Sequence, residues 1–232
     1  MGRWVDVKGL EQGESFAAYV AEPAGTPKAA IVVIQEIFGI NPGIRAKCDK
    51  LAKDGYLAIA PDLFWRMEPR VELDPDIADQ LEKAFGFFGK FDIDSAIRDI
   101  EATIRHARNL VDGGKVGAVG YCLGGLLAYL TATRTDVDAT VGYFGVNIVA
   151  RLAESHAIPR PLMLHFAQKD HFVPQDAIDR VRAGLDANAH VSIHEYPNVD
   201  HGFAAEMGSR RVEDAANLAD GRTSAFFKQH LA

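Results

Sequence analysis

Residues 115–130, Lys-Val-Gly-Ala-Val-Gly-Tyr-Cys-Leu-Gly-Gly-Leu-Leu-Ala-Tyr-Leu, change their repeat in the middle. The β-branched run 116–119 has the length and composition of a buried strand. It stops at Gly120, and apolar residues then recur at helical steps: Leu123, Leu126, Leu127 and Leu130. Gly120-Tyr121-Cys122-Leu123-Gly124 joins the two and fits G-x-nucleophile-x-G, a tight strand-to-helix turn that holds its middle side chain over the sheet edge. Backbone meets backbone in such a turn, so the flanking positions must lack a Cβ. A thiol there sits at a helix N-terminus, whose dipole stabilises negative charge. The pentapeptide alone is equally compatible with a nucleophile and with a small buried cysteine.

The rest of the chain supplies a frame for that turn. Apolar runs at 16–21, 29–34, 56–60, 139–144, 161–166 and 191–196 read as strands. Helices are expected at 41–53, opened by Asn41-Pro42, and at 76–88, 92–110, 174–185 and 209–229. The best of these is 92–110, where Ile93, Ile97, Ile100 and Ile104 recur at three- and four-residue steps. Strand and helix alternate nearly throughout, which predicts parallel βαβ units in an open sheet with helices on both faces. No repeat or linker interrupts the pattern, and one domain over 1–232 is the simplest account.

Composition excludes several partners. A net charge of −7 argues against nucleic acid or an anionic membrane surface. The two cysteines, Cys48 and Cys122, make no disulfide framework, and Cys48 reads as a packing residue. No run is long enough to span a bilayer and the N-terminus has no apolar signal core, so a soluble cytoplasmic protein is expected. Nothing fixes an oligomeric state; a monomer is the simpler expectation.

A nucleophilic Cys122 needs a base and a group that orients the base. In this kind of sheet they follow in chain order, acid then histidine, each just past a strand. Asp170 and His201 occupy such positions. Asp170 would fix the imidazole tautomer, and His201 would move the proton. Asp62 also follows a strand but precedes the turn, and Asp200 shares the loop of His201. The other histidines receive structural readings, and His165 with His171 makes no recognised metal spacing, so neither metal nor cofactor is expected.

Gln35-Glu36-Ile37-Phe38-Gly39, Gly120-Tyr121-Cys122-Leu123-Gly124-Gly125, Asp170-His171-Phe172-Val173-Pro174 and His201-Gly202-Phe203 together resemble the dienelactone hydrolases (carboxymethylenebutenolidases) of the α/β-hydrolase superfamily. The resemblance runs from about residue 10 to the end. It implies an α/β-hydrolase fold, a small ester or lactone substrate and a triad of Cys122, Asp170 and His201. It also implies Glu36 beside the thiol, holding it in check until substrate arrives, and an oxyanion hole from the N–H groups of Ile37 and Leu123. Leu123 follows the nucleophile and Ile37 ends an early strand, the two places where such donors belong. Phe38, Phe85, Tyr143 and Phe203 are expected to line the pocket.

The chain departs from the family where substrate is gripped. The resemblance implies one arginine four residues after the triad histidine, where Ala205 stands, and another at the position of Leu81. Phe85 replaces a pocket tyrosine. Losing a bidentate arginine is not a conservative change. Arg66, Arg70, Arg210 and Arg211 are the candidate substitutes. A thioesterase or acyltransferase would use the same three residues, and a non-catalytic thiol-bearing binding or redox-sensing protein is the alternative of another class.

Overall fold

The computed structural model describes residues 2–231, built around a single eight-stranded sheet. Strands β1 (Arg3–Lys8) and β2 (Ser15–Ala21) pair antiparallel, and β2 joins β4 (Leu57–Pro61), again antiparallel. The remaining strands are parallel: β3 (Ala30–Ile34), β4, β5 (Val116–Tyr121), β6 (Ala139–Tyr143), β7 (Leu162–Ala167) and β8 (Val191–Tyr196). Their spatial order is β1-β2-β4-β3-β5-β6-β7-β8. Every residue of β3 and β5 is buried, as apolar runs covered on both faces should be.

Helix α1 (Pro42–Lys53) starts where the sequence places its cap: Asn41 Oδ1 accepts from the Ile44 N–H at 3.1 Å, with Pro42 in the first turn. Helix α2 (Ala78–Phe88) buries little, whereas α3 (Ile93–Leu110), capped by Asp92, buries Ile97, Ile100 and Ile104. Helices α3 and α4 (Leu123–Arg134) pack together on one face of the sheet. A 3-10 segment, Ile148–Ala157, and α5 (Gln175–Leu185) extend that layer. Helices α1 and α6 (Glu213–Leu231) cover the other.

Two elements were not expected. β1 alternates charged and apolar residues on an exposed edge, so it lacks the continuous apolar run that marks the central strands. The 3-10 segment has no α-helical stripe. Helix α6 begins at Glu213 rather than near 209, because Val212 N–H bonds back to the Phe203 carbonyl and Ser209 Oγ to Asp76.

From β3 the chain winds through α1 to β4 on one side; from β5 it winds through α4 to β6 on the other. The direction reverses between β3 and β5, and a crevice opens there beyond the carboxyl ends of the strands. Gln35-Glu36 and Cys122 lie at that reversal.

Candidate active site

Strand β5 ends at Tyr121 and α4 begins at Leu123, leaving Cys122 alone on the bend with φ +57° and ψ −113°. A non-glycine residue is strained in that conformation, by roughly 1–3 kcal/mol. The surroundings enforce it. Cys122 N–H bonds to the Tyr143 carbonyl at 3.0 Å, and its own carbonyl accepts from Gly125 and Leu126 of the first helical turn. The glycines are there for space: a Cβ on Gly120 would overlap the Gly124 carbonyl oxygen, and one on Gly124 would overlap that of Ile34. The sulfur therefore stands at the N-terminus of α4, 8% exposed.

Asp170 follows β7 and divides its two oxygens between two tasks. Oδ1 accepts from the Phe172 and Val173 N–H groups at 2.8 and 3.0 Å, which fixes the carboxylate on its own turn. Oδ2 is left for His201 Nδ1, at 2.8 Å. His201 is 4% exposed, with the rings of Phe144 and Phe172 against it at 4.9 Å, and its Nε2 is buried without a hydrogen-bond partner among the described residues. Burial pulls the imidazole pKa down, but Cys122 and the Asp170 carboxylate outweigh it and lift the value to about 10. Cys122 and His201 line one cleft of about 240 Å³, with Asp170 behind the imidazole.

Glu36 is 6% exposed at the end of β3, and Arg210 binds both of its oxygens, Nη1 to Oε1 at 3.1 Å and Nη2 to Oε2 at 3.2 Å. The Arg210 guanidinium lies 5.3 Å from the Phe38 ring centre, and its Nε is buried without an acceptor among the described residues. Burial lowers the Arg210 pKa and Glu36 more than restores it, so the net shift is upward. Leu123 opens α4, where an N–H has no acceptor within the helix, and the Ile37 N–H has none among the described residues.

Phe38 and Phe85 line the cleft, together with Ile37, Leu81, Phe88 and Phe172. Tyr143 and Phe203, expected there, lie elsewhere. Tyr143 is fully buried on the opposite face of the sheet, bonded to Thr223 at 2.6 Å and Asp220 at 3.1 Å of α6. Phe203 is fully buried against Phe144 and Tyr196, beneath the histidine loop.

Of the four candidate arginines only Arg210 reaches the cleft: Arg66 pairs with Asp99 and Glu14, Arg70 covers the Trp4 ring, and Arg211 pairs with Glu206 and Glu213. Ala205 sits in a small cavity behind Glu36. Asp62 is a turn residue, accepting from the Phe64 and Arg70 N–H groups.

The sequence reading missed His171 and Phe172 as lining residues, although their place directly after Asp170 was a usable signal. His171 Nδ1 is held by Asp200 at 2.8 Å, and the same Asp200 oxygen accepts from the His171 and His201 N–H groups. Asp170, His171 and Asp200 are close enough to share a metal ion, yet both Asp170 oxygens and Asp200 Oδ1 are already engaged. Arg210 was among the candidate arginines, but its pairing with Glu36, 174 positions away, carried no local signal.

A mostly parallel sheet with helices on both faces, a bend that lifts one side chain above its centre, and an acid-held histidine in the same cleft define an α/β hydrolase. The chain belongs to the dienelactone hydrolase family, whose family model matches residues 16–231. It is 40% identical over 211 residues to the carboxymethylenebutenolidase of Pseudomonas putida, covering 90% of this chain and 89% of that one. The corresponding protein of Pseudomonas sp. strain P51 is 34% identical over 230 residues, covering 98% and 94%. Among solved structures, a Klebsiella pneumoniae protein described as a dienelactone hydrolase superposes with a TM-score of 0.85 at 28% identity, covering 99% of this chain and all of that one. No helix among the described residues is long and apolar enough to cross a membrane.

Proposed function

We propose that this protein hydrolyses small carboxylic esters or lactones through a thioester on Cys122. The observation that carries the reading is the His201 ring, fixed through Nδ1 by Asp170 at 2.8 Å, in the same cleft as the Cys122 sulfur.

The Cys122 sulfur, as thiolate, attacks the acyl carbon and forms the C–S bond. The carbonyl electron pair moves onto oxygen, where the N–H groups of Ile37 and Leu123 receive it. Collapse breaks the acyl C–O bond, and the proton on His201 Nε2 goes to the departing alkoxide. A raised imidazole pKa suits this donor role. Water then attacks the thioester, His201 accepts its proton, and the carboxylic acid leaves with the thiolate regenerated. Glu36, just past β3, has its charge matched by Arg210.

With Leu81 and Ala205 at the two arginine positions, dienelactone itself is expected to be a poor substrate. The test is mass spectrometry of the protein mixed with p-nitrophenyl acetate. A transient acetyl adduct on Cys122, and loss of turnover by at least about a thousandfold in Cys122→Ala, are expected. Undiminished hydrolysis by pure Cys122→Ala would reject the reading.

A further inference from the structure

We infer that the cleft selects uncharged esters or lactones carrying an aryl or other bulky apolar group, and discriminates against substrates with a free carboxylate. This rests on the proposed hydrolysis at Cys122 and narrows its substrate.

The walls are apolar. Leu81, Phe85 and Phe88 of α2 face Phe172 of the loop after β7, with Phe38 beside Arg210. Phe85 and Phe172 are 42% and 47% exposed, and their ring centres are 6.3 Å apart. Two large rings left this open to water, meeting across the mouth of a catalytic cleft, form a surface that an apolar group would cover on binding.

The charges point the same way. The arginine of the cleft is spent. Both Nη groups of Arg210 are on Glu36, one face of its guanidinium is over Phe38, and its Nε is buried rather than presented to a ligand. His201 is held by Asp170, and His171 at the rim by Asp200. A carboxylate entering this space would find the Arg210 guanidinium already occupied by Glu36, in surroundings that screen charge poorly. Recruiting Arg210 would strand Glu36, 6% exposed, without its partner.

Mono-p-nitrophenyl glutarate and the uncharged p-nitrophenyl 4-carbamoylbutanoate share a leaving group, a shape and a polar tip, so their kcat/KM ratio reads the charge. A preference of about a hundredfold or more for the uncharged ester is expected, and p-nitrophenyl phenylacetate should exceed the acetate by about tenfold. A ratio near one, or favouring glutarate, would overturn the inference, as would acetate matching phenylacetate. Leu81→Arg adds an unpaired cation to the cleft and should cut the charge preference at least tenfold; an unchanged ratio in this variant would also count against it. Failure of any ester to acylate Cys122 would instead remove the hydrolase reading itself.

Discussion

His201 holds its proton far into the alkaline range because two acidic neighbours, Cys122 and Asp170, oppose the effect of burial. An imidazole whose pKa rises on folding stabilises the folded state fully below its unfolded value of roughly 6.5. That contribution is lost as pH climbs through about 10. Cys122→Ala removes the larger upward push, so the His201 ring should titrate at a clearly lower pH in the variant. Histidine NMR measures this directly, and a titration unmoved from about 10 would mean that Cys122 does not act on the ring. Cys122, Asp170 and His201 were each readable as candidates because each follows a strand. The division of labour between the two Asp170 oxygens was not, since it depends on where the Phe172 and Val173 amides point.

The β5–α4 unit converts two glycines into a site. Gly120→Ala places a methyl group where the Gly124 carbonyl stands, and neither strand nor helix can retreat, both being buried throughout the turn. A loss of at least about 3 kcal/mol in urea denaturation is expected, with a fall in activity at sub-denaturing conditions. A wild-type midpoint would show that the turn tolerates a Cβ. At this scale the sequence was largely legible, because buried strands and amphipathic helices have different periods. Tyr143 illustrates the limit: its place on β6 could be read, but not the face of the sheet its ring would take.

Across the whole molecule, α1 and α6 are locked by Lys47, 5% exposed, which reaches Glu206 at 3.0 Å and Asp220 at 3.3 Å and lies over the Tyr121 ring. The same lock joins the histidine loop to the segment after β3, because Glu206 also binds Arg211, next to the Arg210 that holds Glu36. Burial raises the Asp220 pKa, but Lys47 and Lys50 lower it further, so the net shift is downward. Its contribution is therefore present above the ordinary carboxylate range and is lost as pH falls through the depressed value. Lys47→Met should cost about 3 kcal/mol, Lys50 still partnering Asp220, and should move the acid unfolding midpoint upward. Circular dichroism against pH in both proteins tests this; coincident curves would show that the buried pairs contribute nothing net.

By itself the sequence determined the alternation of strand and helix, the bend at Cys122 and the chain order of acid and histidine, because local period and glycine placement act over a few residues. The tertiary structure alone decided that Arg210 neutralises Glu36, that Tyr143 serves α6 and not the cleft, and that Phe172 closes on Phe85. Those pairings join segments far apart along the chain, and their geometry is set by how the layers pack and not by any spacing within one segment.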